Sequence, residues 1–316
     1  MTLTLPLIDV AALSSTNFED RLAVAKQIRQ ACLDKGFFYI INHGISADLQ
    51  QQVFQYSQQF FNLPLPAKEQ INKNKSIANR GYEPLKNQTL EADAPPDLKE
   101  GFYAGREYAM DSEEVKNKRF NYGPNQWPED LPQFKQVMMQ YQQEVEALSI
   151  RLMRALALSL DLNEDYFDQY NQQAMITLRL LHYPPQPANP LPNEKGCGAH
   201  TDFGGLTLLL QDMNGGLQVW DHQQHIWLDA QPIAGSYVVN LGDLIARWTN
   251  DLYQSTRHRV INRSGVERYS VPFFFGGNPQ HEIRCIETCL NEENFAKYPV
   301  TTVEKHHQEM YRRTYG

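Results

Sequence analysis

Apolar residues follow two rhythms along the chain, and the change from one to the other divides it. Leu22, Ala25, Ile28 and Cys32 recur at the spacing of one helix face and predict an amphipathic helix that stops at Gly36. Phe37 to Ile41 is a short apolar run of strand type, closed by Asn42-His43-Gly44. A second helix is predicted from about Ser46 to Phe61, ended by Pro64 and Pro66. Residues 72 to 130 keep neither rhythm. They are rich in Asn, Lys, Pro and Gly, yet they carry Tyr82, Phe102, Tyr103, Tyr108 and Trp127. A long irregular segment with so many aromatics reads as a folded binding loop rather than a linker. Val137, Tyr141, Val145, Leu148, Leu152 and Ala155 then mark a long helix reaching about Leu160.

Beyond that point the period shortens. β-type runs at 177–182, 206–210, 217–220, 236–241, 258–262 and 269–275 are separated by Gly, Pro, Asn and Asp. Many short strands with turns between them predict a closed or double-sheet architecture, a barrel or jelly roll. The tail from Glu292 is polar and predicted helical. The expected organisation is a helical region over 1–165 with an irregular roofing segment, a β core over 166–290 and a helical tail over 291–316. No flexible hinge divides them, so one structural unit is expected.

Composition narrows the function classes. The 316 residues are 41% hydrophobic and 21% charged, a globular mixture. Lys+Arg 29 against Asp+Glu 37 gives a formal charge of −8, and no dense basic stripe offsets it, so a nucleic-acid partner is not expected. No apolar run approaches the ~18 residues of a membrane span, and Met1 to Val10 lacks the basic start and apolar run of a signal peptide. Cys32, Cys197, Cys285 and Cys289 show no CxxC spacing and read as reduced structural thiols. A cytoplasmic protein, monomeric for want of any long heptad or exposed apolar stripe, is the expectation.

The candidate chemistry begins at His200-Thr201-Asp202, after the Gly196–Ala199 turn and before an apolar strand. Residues i and i+2 of an extended chain share a face, so one imidazole and one carboxylate can converge. A third ligand has to come from a distant strand. His258, 56 residues after Asp202, opens such a run. Two histidines and a carboxylate leave coordination positions open, as non-haem Fe(II) oxygenases need, although zinc accepts the same ligands. Arg268 and Ser270 follow ten and twelve residues past His258. Their i, i+2 spacing puts a guanidinium and a hydroxyl on one face of an otherwise apolar strand. A buried Arg needs an anion, and its planar fork suits a carboxylate; a structural ion pair would satisfy it too.

With HxD, a distant His and RxS in this order, the chain resembles the Fe(II)/2-oxoglutarate-dependent oxygenase superfamily, and within it the isopenicillin N synthase-like branch. The similarity runs nearly end to end. Pro6-Leu7-Ile8-Asp9, Gly36-Phe37-Phe38-Tyr39, Asn42-His43-Gly44, Leu178-Arg179-Leu180 and Tyr183-Pro184-Pro185 fit it. So do Gly216-Leu217-Gln218-Val219, Asn240-Leu241-Gly242-Asp243 and Trp248-Thr249-Asn250. The resemblance implies a double-stranded β-helix (jelly-roll) core. It implies that His200, Asp202 and His258 ligate Fe(II), and that Arg268 and Ser270 grip the distal carboxylate of 2-oxoglutarate with Tyr183 hydrogen-bonding the cosubstrate. Plant relatives usually carry Asn where this chain has Leu181.

The implied reaction couples O2 and the oxidative decarboxylation of 2-oxoglutarate, to succinate and CO2, to hydroxylation or desaturation of a small-molecule metabolite, with ascorbate as a candidate reductant. An oxidase of the same fold that does without 2-oxoglutarate, as isopenicillin N synthase and the aminocyclopropane carboxylate oxidases do, is the alternative. Arg80, Tyr82 and Tyr103 in the irregular segment, and Arg247 beside Trp248, are the candidate substrate contacts. His182 either lines the pocket or packs, Asp221-His222 and His225 form a polar surface turn, and His306-His307 is expected to be solvated.

Overall fold

The computed structural model describes residues 4–315. After a short strand Leu7–Asp9 (β1), the Asn17 side chain accepts a hydrogen bond from the Glu19 amide and starts Phe18–Asp34 (α1). The helix ends at Gly36, whose φ of +63° and amide bond to the Ala31 carbonyl (2.9 Å) turn the chain into Phe37–Ile41 (β2). Ser46 caps Ala47–Phe61 (α2) through the Leu49 amide. Pro64 does more than end that helix: it opens a further one, Leu65–Gln70 (α3), with Pro66 in its first turn.

The segment predicted irregular holds two strands, Gly81–Glu83 (β3) and Glu100–Gly105 (β4), and a short helix Glu113–Lys116 (α4). The long helix is Phe134–Ser159 (α5), followed by Asp168–Asn171 (α6). Then come Met175–Tyr183 (β5), Cys197–His200 (β6), Leu206–Gln211 (β7), Leu217–Asp221 (β8), Ile226–Asp229 (β9) and Tyr237–Leu241 (β10). Asp243–Trp248 (α7), His258–Val260 (β11), Arg268–Gly277 (β12), Glu282–Ile283 (β13), Thr301–Thr302 (β14) and Val303–Tyr315 (α8) complete the chain. The tail is therefore helical only from Val303.

Eight strands form one sheet in the order β1-β2-β10-β7-β12-β5-β4-β3, and a four-stranded sheet, β6-β11-β8-β9, lies opposite as in a jelly roll. Strands from the N-terminal region thus extend the large sheet at both edges. Alternation along each strand sorts side chains into two layers. Ile176, Leu178, Leu180, Val271, Phe273 and Phe275 face outward into one core with α1, α2 and α5. Leu181, Tyr183, Val238 and Tyr39 face inward into a second, smaller core between the sheets. The same inward parity carries Thr207, Gln211, Asn240, Arg268 and Ser270, so the polar residues of β7, β10 and β12 all point into the jelly roll.

Gly36 fixes how α1 meets the large sheet. A Cβ there would stand 2.0 Å from the Gln254 carbonyl oxygen, at a φ that disfavours side chains. Gly36→Ala is expected to destabilise the fold by about 3 kcal/mol, a backbone penalty added to overpacking, read as a lower urea midpoint at unchanged slope. Cys32, Cys197, Cys285 and Cys289 are all buried and free. Among the described residues no helix is long and apolar enough to cross a membrane.

Candidate active site

Strand pairing builds the centre. β11 runs antiparallel to β6 with His258 directly opposite His200, and their rings stand 4.3 Å apart. Asp202 follows in the β6–β7 turn. Its Oδ1 lies 3.8 Å from His200 Nε2 and 3.7 Å from His258 Nε2. Ligands sharing one ion with bonds of about 2.1 Å can be at most about 4.2 Å apart, so both distances fit a single metal.

The surroundings orient each donor atom. His200 Nδ1 is 2.8 Å from the Gly198 carbonyl and His258 Nδ1 is 3.2 Å from that of Thr256. A carbonyl only accepts, so both Nδ1 atoms carry the proton and both Nε2 lone pairs face Asp202. Thr207 Oγ1 (2.6 Å) and Asn240 Nδ2 (2.8 Å) donate to Asp202 Oδ2, which leaves Oδ1 for the shared centre. Burial lowers the pKa of His200, and burial together with neighbouring His200 pushes His258 down to about 4, so both imidazoles are neutral ligands near pH 7. Burial alone would raise Asp202, but the positive charge an imidazole carries when protonated, and the hydrogen bonds from Asn240 and Thr207, hold it below the usual carboxylate range. Among the described residues these three form the one His/Cys/Asp/Glu cluster able to hold a metal.

The turn carrying Asp202 is pinned from behind. The Asp243 amide donates to the Asp202 carbonyl (2.8 Å), while Thr201 (3.1 Å) and Ser255 (2.6 Å) donate to the Asp243 carboxylate.

Deeper in the jelly roll lies Arg268, fully buried. Its Nε donates to the Gly215 carbonyl (2.5 Å), Nη2 donates to Gln211 Oε1 (3.2 Å), and the guanidinium lies 4.8 Å from the centre of the Tyr183 ring. Nη1 has no hydrogen-bond partner among the described residues, and no carboxylate there pairs with this cation. A structural ion pair is thereby ruled out for Arg268. A buried guanidinium held by neutral acceptors, with one N–H fork edge exposed to the interior, is built for an external anion. Ser270 and Tyr183, on paired strands beside it, interact through their hydroxyls.

A cavity of about 420 Å³ opens over His200 and Asp202. One wall is a charged network. Glu83 receives hydrogen bonds from Tyr103 (2.6 Å) and Lys73 and pairs with Arg179 (3.4 Å), whose guanidinium lies 4.3 Å from the centre of the Tyr103 ring. Burial would raise Glu83, yet Arg179 and Lys73 hold its carboxyl below the usual range. Phe274 and His307 line other parts of the cavity.

A family model described as non-haem dioxygenase in morphine synthesis N-terminal matches residues 5–130, and that of the 2OG-Fe(II) oxygenase superfamily matches 172–277. The chain is 45% identical over 317 residues to the 2-oxoglutarate-Fe(II) type oxidoreductase hxnY of Emericella nidulans, spanning 98% of this chain and 90% of that protein. The chain belongs to the 2OG-Fe(II) oxygenase superfamily. It is also 39% identical to the 2-oxoglutarate-dependent dioxygenase citB of Monascus ruber, over 99% of this chain and 96% of that one. In structure it resembles a full-length Neurospora crassa protein in complex with alpha-KG, with a TM-score of 0.87 and 33% identity over 98% of this chain and 96% of that one. A 2OG-Fe(II) oxygenase family protein from Caulobacter crescentus gives a TM-score of 0.86 at 30% identity, with 99% of each chain covered.

Of the four candidate substrate contacts, this oxygenase brings only Tyr103 to the cavity wall. Tyr82 faces the other way, donating to Glu100 (2.7 Å) and packing near Phe60. Arg80 lies behind the wall, buried against Gly105 and donating to the Asn121 carbonyl (3.3 Å). Arg247 reaches the Pro299 carbonyl (2.8 Å) and the Tyr298 ring, in a different cavity. The cause is strand parity: in β3 and β4 the inward residues are Glu83, Gly101 and Tyr103, while Tyr82 and Phe102 belong to the outer core.

The tail histidines reverse their expectation. Instead of being solvated, His306 and His307 are 4% and 8% exposed. His306 Nε2 is 2.8 Å from the Phe203 carbonyl, one residue past Asp202, and the His307 ring lies against Gly204 and Gly276. The polarity of the helix hid its docking; only the hydrophilic outer face suggested solvation. His182 packs, with Nδ1 2.8 Å from Glu100 and the ring stacked on Tyr269. His222 and His225 are exposed in the β8–β9 turn, where buried Asp221 accepts from the Gln223 and Gln224 amides.

Proposed function

We propose that this chain holds Fe(II) through His200, Asp202 and His258, binds 2-oxoglutarate with its distal carboxylate on Arg268, and oxidises a small polar metabolite in the cavity beside Glu83, Tyr103 and Arg179. The buried Arg268 guanidinium, lacking any carboxylate partner among the described residues and lying inward of the His/Asp/His cluster, carries this assignment. Iron bound there supplies the centre at which O2 and 2-oxoglutarate give succinate, CO2 and the oxidation of a substrate C–H bond. The protein's part is positional. Gly198 and Thr256 hold the imidazoles in the metal-binding tautomer, Thr207 and Asn240 aim the carboxylate, and Ser270 and Tyr183 flank the anion held by Arg268. Leu181, Val219 and Val260 keep the space between them dry. Hydroxylation and desaturation both start from the same C–H, and the choice lies with the substrate pose over His200 and Asp202.

Strands β1 to β4 complete the large sheet and α8 covers the Asp202 turn, which supports 1–165, 166–290 and 291–316 acting as one unit. The four buried thiols and the net negative charge support a cytoplasmic monomer acting on free metabolites rather than on nucleic acid or membranes.

Anaerobic titration of the Fe(II)-loaded protein with 2-oxoglutarate tests the assignment. Chelation of ferrous iron by the keto acid is expected to produce a weak visible charge-transfer band that saturates. Iron binding with no band would favour the 2-oxoglutarate-independent oxidase. His307→Phe, which narrows the cavity away from Arg268, is expected to leave that band intact and to cut substrate-stimulated succinate release by roughly tenfold or more. Parallel titration and succinate assays would check it, and an equal loss of 2-oxoglutarate binding would refute the placement of His307.

A further inference from the structure

Lys99 is a buried charge that none of the contacts above employs. Its side chain is 2% exposed. It precedes β4 with the inward parity of Gly101 and Tyr103, and the register pairing Glu100 with His182 sets it beside Tyr183. Its Nζ pairs with the Asp97 carboxylate and lies 3.6 Å from Cys197 Sγ, which is itself 3.9 Å from His200 Nδ1. Asp97 in turn accepts from the Gly198 amide (2.8 Å), fixing the ammonium to the strand that ends in His200.

The ammonium thus approaches His200 from its Nδ1 side, through Cys197, and by register stands beside Tyr183, whose ring lies against Arg268. Burial favours the neutral amine, yet the Asp97 carboxylate paired with it holds Lys99 above its ordinary value and protonated. An ammonium has three N–H donors; one meets Asp97 and another meets only a thiol, a weak acceptor. Across the strand pair, Leu181 presents methyl groups and Gly101 no side chain, so neither satisfies it. A buried donor short of a strong acceptor is destabilising until one arrives.

We propose that Lys99 is a cosubstrate-binding residue whose ammonium donates to a carboxylate oxygen of 2-oxoglutarate, with Asp97 holding it charged and in place. This rests on 2-oxoglutarate lying between the His/Asp/His cluster and Arg268. Asp97 and Lys99 together are neutral, so the pair adds a directed donor without altering the net charge that the dianion meets.

The test is the anaerobic Fe(II) titration with 2-oxoglutarate on wild type, K99M and the double variant D97N/K99M. The double variant leaves no unpaired charge, and the side-chain amide introduced at position 97 can still accept from Gly198 through its carbonyl. Both variants are expected to bind 2-oxoglutarate roughly 10- to 100-fold more weakly, the effect of losing one charge-assisted hydrogen bond, with Fe(II) affinity within about threefold of wild type. A double variant that binds 2-oxoglutarate as wild type does, or that no longer folds by circular dichroism, would assign the pair to packing and overturn the proposal. Absence of a band in wild type would instead overturn the binding of 2-oxoglutarate itself, and Lys99 with it. A normal wild-type band with unchanged variants overturns Lys99 alone.

Discussion

Asp202→Ala is expected to abolish iron-dependent turnover. Oδ1 of Asp202 is the one anionic atom shared by His200 and His258, at 3.8 and 3.7 Å. Without it two neutral imidazoles remain, and Thr207 and Asn240 lose the buried acceptor they were built around. Removing just a hydrogen-bond partner of a ligand typically lowers metal affinity or activity roughly 10- to 100-fold, and removing the ligand should exceed that. Asn240→Leu, which frees Oδ2 while sparing Oδ1, belongs in the smaller class. Fe(II) titration and succinate release on both variants would separate the two effects. Comparable iron affinity in Asp202→Ala and wild type would show that the metal sits elsewhere.

Arg268→Met is expected to eliminate 2-oxoglutarate binding over the accessible concentration range while leaving iron affinity nearly intact. Breaking a buried charge pair from one side commonly costs about 3–5 kcal/mol, or roughly two to four orders of magnitude in affinity. The stability of the cosubstrate-free protein should move the other way. There Arg268 is a buried cation satisfied by Gly215 and Gln211 with Nη1 unpartnered among the described residues, and an apolar replacement of similar length removes that burden. Wild type should therefore gain Tm on adding 2-oxoglutarate with Fe(II), by mass action on the native state, and Arg268→Met should not. Loss of iron from Arg268→Met would mean that the residue supports the metal centre instead.

Four of the candidate site residues were legible because they stand in short linear patterns, His200 with Asp202 and Arg268 with Ser270. RxS uses the two-residue repeat of a strand, and Arg268 and Ser270 share a face of β12 as that repeat requires; HxD converges otherwise, because β6 ends at His200 and the following turn carries Asp202 to the same point. The cavity wall was not legible. Tyr82 and Glu83 are adjacent in an Asn-rich stretch without apolar alternation, so nothing local states which of them points inward. Pairing of β3 with β4, and of β4 with β5, decides it, and the second of those joins residues about eighty positions apart. The tail misled for a related reason: His306 and His307 are polar by type, and their burial depends on the Phe203 turn and Gly276, which are remote in sequence.

Local periodicity was enough for the helix-then-strand order, spacing for the candidate histidine, aspartate, arginine and serine, and the resemblance of short ordered motifs for the family. Four features needed the folded chain. His258 stands opposite His200, Arg268 meets no internal carboxylate among the described residues, Glu83 and Arg179 form the cavity wall, and Lys99 is buried beside Cys197 and Tyr183. All four are consequences of strand register. Register is set by how two cores pack on opposite faces of one sheet, a condition on the whole chain that no short stretch of it contains.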